Sequence, residues 1–172
     1  MTNAFLTPLI ELNYASRQFY LKDETKQIGG SFKFRGPDLF FASHPEIKSV
    51  VTASSGNHAI GVSTAAKLHG ALACIYIPQN TPSTKVAKIE AAGGEIRRVA
   101  GGYEDALAAA VAHAEACDDA LLPSYDHSII IEGNRSLYRE AAQQSGLIFP
   151  RIAVPVGGGG CISAAILEGA AS

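Results

Sequence analysis

Apolar residues gather in four short, nearly unbroken runs, at 49–53, 72–77, 96–100 and 152–156. Each has strand length and is bounded by glycine, proline or polar residues. Between and beyond them, alanine and apolar positions recur at helical spacing over 57–69, 84–92, 103–117 and 133–145. Gly70 and Gly93-Gly94 stand where helix C-caps belong, and Pro82-Ser83 marks a helix entry with Ser83 as its cap. Strands alternating with helices imply βαβ units, hence an α/β fold of parallel sheets with helices on both faces. Ligands are then expected beyond the carboxyl ends of the strands. Upstream, 7–12 and 17–23 read as extended segments leading into a glycine-rich turn at Gly29-Gly30.

Composition narrows the function classes. The 172 residues carry a net charge of −2, with 47% hydrophobic and 17% charged residues. That suits a globular chain with a buried core and gives no reason to expect nucleic acid or an anionic membrane surface as partner. No apolar run approaches the roughly 20 residues that span a bilayer. The start of the chain lacks a basic stretch followed by an apolar one, so no secretion signal is read there. Cys74, Cys117 and Cys161 are odd in number and widely spaced, against a disulfide framework or a zinc site. A cytoplasmic setting and no metal are the expectations.

Three glycine-marked turns carry the candidate chemistry. The first, Gly29-Gly30-Ser31-Phe32-Lys33-Phe34-Arg35-Gly36, sets a lysine beside an aromatic residue; alone, it is a weak signal and reads first as a solvated lysine in a turn. The second, Ser54-Ser55-Gly56-Asn57-His58, joins a strand to a helix. Its backbone amides, helix dipole and side-chain donors suit a carboxylate or a phenolic oxygen. In the third, Gly157, Gly158, Gly159 and Gly160 again join a strand to a helix, where bare backbone can approach a phosphate closely. This loop lacks the Gly-Lys-Ser/Thr ending of a nucleotide P-loop and the spacing of a dinucleotide site, so a single phosphate on a small cofactor fits better.

In this order and at about this spacing, the three turns resemble the fold-type II (tryptophan synthase β-like) pyridoxal-phosphate enzymes, within them the serine/threonine dehydratase and serine racemase branch. The resemblance runs from Thr7-Pro8-Leu9 to Ile162 and includes Glu24, Gln27, Pro78, Pro82, Lys85 and Gly93-Gly94-Glu95-Ile96. It implies pyridoxal 5'-phosphate as cofactor, bound by Lys33 as a Schiff base. Lys33 and Ser55 are then the catalytic pair on opposite faces of the ring, with Lys33 the base for the α-proton. Phe32 and Asn57 would contact the ring, and Gly157, Gly158, Gly159 and Gly160 the phosphate. Ser54, Ser55, Asn57 and His58 would grip the substrate carboxylate. The implied reaction is loss of water and ammonia from serine or threonine, giving a 2-oxo acid. Racemisation and β-replacement by the same family, a non-catalytic α/β remnant and a phosphate- or carboxylate-binding module are the alternatives.

Departures from the family pattern are Gly29 in place of threonine, Glu132-Gly133-Asn134-Arg135-Ser136 in place of Gly-Gln-Gly-Thr, and Cys161 in place of an aliphatic residue. Family members are about twice as long. The implied organisation is a small domain at 48–132 and an incomplete large domain at 1–47 and 133–172, a chain that reads as truncated. The full-length form would be a homo-oligomer acting on a small amino acid.

Overall fold

The structure, a computed structural model, describes residues 1–170. It opens with a hairpin in which β1 (Leu9–Tyr14) pairs antiparallel with β2 (Arg17–Lys22). The two-residue turn has Ala15 and Ser16 at φ 49° and 58°, the left-handed pair whose twist matches that of the flanking strands. Three 3₁₀ turns over 24–34 follow, with Gly29 and Gly30 at φ 75° and 76°, and deliver the chain to α1 (Arg35–Ser43).

Strands and helices then alternate: β3 (Ser49–Ala53), α2 (Asn57–Leu68), β4 (Leu72–Pro78), α3 (Ser83–Ala91), β5 (Glu95–Val99), α4 (Tyr103–Cys117) and β6 (Ala120–Leu121). The four strands form one parallel sheet in the order β5-β4-β3-β6. Side chains alternate between its faces. Val50, Ala73, Ile75 and Ile77 pack against Ala59, Val62, Val86 and Ile89 of α2 and α3, whereas Val51, Ala53 and Cys74 pack against Ala106 and Ala110 of α4. Helices therefore cover both faces, as the apolar strands require. The first of these clusters also takes in Phe34, Phe40 and Phe41, so the N-terminal segment shares the sheet's core.

α5 (Ser128–Ser145) and α6 (Gly160–Gly169) complete the described chain. α1 crosses α5 at touching backbones: a Cβ on Gly133 would lie 2.5 Å from Gly36 Cα. Beside that crossing Arg35 is 2% exposed and ties the N-terminal segment to α5. Its guanidinium bonds Glu24 at 2.7 and 2.8 Å, Glu140 at 2.6 and 2.9 Å, and the Ser136 hydroxyl. Lys22 adds a second cation to Glu140 at 2.7 Å.

Several local expectations hold. Gly70 and Gly93 take φ +69° and +97° just past α2 and α3, and Ala71 N–H and Gly94 N–H close onto the Ala66 and Ile89 carbonyls. Others need correction. Ser83 is the first residue of α3, not its cap; Pro82 holds that position, and no side chain caps the helix. α5 starts at Ser128, before the expected 133, because Ile130 extends by a turn the buried stripe of Gly133, Asn134 and Leu137. The run at 152–156 is not a strand, since it has no ladder partner among the described residues. Ala120–Leu121, too short to show a period, is one.

Candidate active site

The sheet order fixes where a ligand can sit. From β3 the chain moves outward to β4 and β5, then returns through α4 to place β6 on the other edge of β3. The connections diverge between β3 and β6, and the crevice beyond the carboxyl ends of such a pair is the usual ligand site of an open α/β sheet. Ser54 to His58 leave β3 there, and Leu122 to Tyr125 leave β6 there.

Lys33 reaches this crevice from the 3₁₀ turn Phe32–Phe34. Its amine donates to the Ser124 carbonyl at 2.6 Å and stands 5.3 Å from the centre of the Phe32 ring. Burial pushes the amine below the ordinary lysine value, with the Cys161 thiol acting in the opposite sense. The lysine backbone is pressed by α2, where a Cβ on Gly61 would lie 2.5 Å from the Lys33 carbonyl oxygen. Only glycine allows that approach.

The strand-to-helix turn after β3 behaves as two halves. Ser54 N–H continues the pairing to the Tyr76 carbonyl, and the Ser54 hydroxyl accepts from Gly56 N–H. Ser55 is half-buried and Asn57, first residue of α2, is exposed. First-turn amides of a helix have no helical partner, so α2 presents them at this end. The His58 ring is turned inward: it is 3% exposed, and Nε2 donates to the Leu122 carbonyl at 3.0 Å. The imidazole is pushed down to about 4 by burial; the Leu122 bond opposes this and the charge on Lys33 adds to it. It is therefore neutral at physiological pH.

The tetraglycine turn opens α6. Gly157 and Gly158 are exposed, Gly159 has φ +93°, and Gly160 is buried. Added Cβ atoms on Gly157 and Gly159 would meet open space, so bare backbone faces the surroundings at the positive end of a ten-residue helix. Gly158 abuts the Tyr125 ring, and a Cβ on Gly160 would lie 3.0 Å from the Tyr125 carbonyl oxygen. Since Ser124 receives Lys33 and Tyr125 backs the glycines, the β6 exit joins the two turns. Cys161 lies close enough to Lys33 for their charges to interact, and its carbonyl accepts from the Tyr138 hydroxyl at 3.0 Å.

Residue-type reasoning missed Leu122, Ser124 and Tyr125. Two of them act through backbone carbonyls, which leave no mark in sequence; the signal within reach was Tyr125, an aromatic just past a short apolar run. The substituted stretch at 132–136 has a structural use, as Glu132 and Glu168 bind Arg135 and Arg139 across α5 and α6 at 2.8–3.0 Å. Among the described residues, no group of three or more His, Cys, Asp or Glu could hold a metal ion, and no helix is long and apolar enough to cross a membrane.

A half-buried amine of lowered basicity, an aromatic beside it and an open glycine turn at a helix start fit an aldehyde cofactor with one phosphate. Comparison with known proteins points the same way. The family model described as pyridoxal-phosphate dependent enzyme matches residues 2–169. The L-threonine dehydratase biosynthetic IlvA of Pasteurella multocida is 38% identical over 164 residues, 91% of this chain and 32% of that protein. The L-threonine ammonia-lyase of Geobacter sulfurreducens is 34% identical over 164 residues, again 91% of this chain and 40% of the other. Among solved structures, maize serine racemase superposes with a TM-score of 0.89 at 32% identity, covering 98% of this chain and 53% of that one. Threonine deaminase isoform 2 of Solanum lycopersicum gives 0.84 at 31%, covering 96% and 50%. The chain thus spans about a third of the curated relatives and about half of the solved ones. By sequence match and fold, it belongs to the pyridoxal-phosphate dependent enzymes.

Proposed function

We propose that this chain carries the Lys33 side of an amino-acid ammonia-lyase site acting on serine or threonine. The observation that carries the reading is the seat of Lys33: its amine, half-buried and of lowered basicity, sits at the β3/β6 crevice beside the tetraglycine turn. When bound, pyridoxal phosphate supplies the electron sink that makes the substrate α-proton acidic. Lys33 would hold the cofactor through Nζ, and the same Nζ, when unprotonated, would take the substrate α-proton. Low basicity helps here, because more of the amine is unprotonated near neutral pH.

Ser54, Asn57 and the first-turn amides of α2 bind the substrate carboxylate, and the dipole of α2 favours that charge. His58 joins them through its backbone only, since its ring is committed to Leu122. Phe32 and Asn57 would contact the ring, and Gly157, Gly158, Gly159 and Gly160 would hold the phosphate. Ser55 would handle protons on the side away from Lys33. The net reaction would be loss of the β-hydroxyl as water and hydrolytic release of the amine, giving a 2-oxo acid and ammonia. The same two faces would serve racemisation, a second reading favoured by the likeness to maize serine racemase. A division into units at 48–132 and 1–47 with 133–172, homo-oligomerisation and a cytoplasmic place of action belong to this proposal; positions 171 and 172 lie outside the described residues.

The reading is tested by supplying serine or threonine with the cofactor and measuring 2-oxo acid and chiral composition. Pyruvate or 2-oxobutanoate, lost in Lys33→Ala, supports the lyase. D-amino acid without 2-oxo acid would shift the assignment to racemisation. Neither product from a chain that carries the cofactor would leave the remnant.

A further inference from the structure

Ser124 lies three residues past the end of β6, and β6 is held to β3 by only two residue pairs, Val50 with Ala120 and Val51 with Leu121. A ladder that short leaves its exit weakly fixed. Yet the exit must be well placed, because the Ser124 carbonyl receives the Lys33 amine at 2.6 Å and Tyr125 backs the glycine turn. The extra hold comes at Leu122. Its N–H donates to the Val51 carbonyl at 2.9 Å, and its carbonyl accepts from the Thr52 hydroxyl at 2.6 Å and from His58 Nε2 at 3.0 Å.

His58 gives this hold an unusual form. A carbonyl only accepts, so Nε2 carries the ring proton and Nδ1 is left as a bare acceptor. Nδ1 is buried without a partner, and leaving such a group unsatisfied is costly. A simple core position would be better filled by an apolar ring. What the imidazole gains over phenylalanine is the Nε2 donor aimed at Leu122. His58 also sits three residues before Gly61, so it shares the face of α2 that presses on the Lys33 backbone. One helix face thus touches the lysine from behind and the strand exit that seats its amine.

We propose that His58 is a positioning residue for Lys33: its Nε2 bond to the Leu122 carbonyl fixes the β6 exit whose Ser124 carbonyl seats the lysine amine. This rests on the reading of Lys33 as the cofactor's lysine. The titratable groups around that amine are His58 from α2 and Cys161 from α6, with Tyr138 of α5 bonded to Cys161.

The test compares His58→Phe, which keeps the ring and removes the donor, with His58→Gln, whose amide N–H reaches about as far as Nε2. Two readouts are taken on the full chain at a temperature where circular dichroism shows all variants folded. Without cofactor, hydrogen exchange is followed at the amides of Leu122 to His127. With pyridoxal phosphate, borohydride trapping and peptide mapping give the label on Lys33 relative to exposed Lys67. In His58→Phe, exchange at the β6 exit is expected to be at least fivefold faster and the Lys33 share of label about tenfold lower. His58→Gln should stay within threefold of the native chain in both. The proposal is overturned if His58→Phe matches the native chain, or if His58→Gln falls with it. Should His58→Phe melt too early, His58→Asn, whose amide is too short to reach Leu122, replaces it. A native chain unlabelled at Lys33 would sink the function proposed above, and the exchange readout would then decide on His58 alone.

Discussion

Gly61 is where packing and site geometry meet most tightly, so Gly61→Ala has two consequences that can be measured together. Two effects oppose each other in stability. Replacing glycine by alanine inside a helix is worth about 1 kcal/mol in favour of folding. Against it, the new methyl would stand 2.5 Å from the Lys33 carbonyl oxygen, 2.7 Å from its carbon and 3.0 Å from Phe34 N. Non-bonded heavy atoms settle near 3.5 Å, so α2 and the Lys33 turn must part by roughly 1 Å. The obstacles are backbone atoms, which cannot swing aside as a side-chain tip would. Overpacking of this kind costs about 1–3 kcal/mol, so a net loss of up to about 2 kcal/mol is expected. A displacement of that size at a reacting amine can slow its reaction on the order of 100-fold, here its capture of the cofactor. Urea unfolding gives the first quantity and cofactor trapping on Lys33 the second. Gly169→Ala, at a helical position where a Cβ meets nothing within 4 Å, is the control and should be neutral or slightly stabilising. If Gly61→Ala behaved like that control, with labelling of Lys33 unchanged, the seat of the lysine against α2 would be wrong.

Arg35→Met should destabilise by about 3–5 kcal/mol, because Glu24 and Glu140 would lose a nearly buried cation, and urea unfolding reads the loss. Arg35→Lys should recover only part of it, since one ammonium cannot span both carboxylates as the guanidinium fork does. His58, pushed down to about 4 in the folded chain against about 6.5 unfolded, binds fewer protons when folded. Its contribution is therefore complete above pH 6.5 and lost as pH falls from 6.5 to 4, by about 3 kcal/mol. The difference in unfolding free energy between the native chain and His58→Gln should fall over that window; a flat difference would mean the ring is not held neutral.

Much of the fold could be read from spacing. α2 and α4 announced themselves through alanine-rich periodicity, and Gly70 and Gly93 marked helix ends, because these are local properties of the chain. What resisted reading was non-local. The run at 152–156 has strand composition, but a strand exists only with a partner, and composition cannot say whether one is adjacent. β6 was too short to show a period, although its exit organises the site. Arg35 reads as a surface residue until Glu24 and Glu140 converge on it from positions 11 before and 105 after. The three glycine-marked turns were legible as a set because each needs a particular residue type. Their meeting at Leu122, Ser124 and Tyr125 was not, since any residue supplies a carbonyl, and His58, read as a side-chain donor to a carboxylate, has its ring in the core.

The most direct test of the central assignment is to incubate the chain with pyridoxal phosphate, reduce it with borohydride and map the modified peptide. Label concentrated on Lys33 and abolished in Lys33→Ala is the expected result. Label on another lysine, or on none, would contradict it.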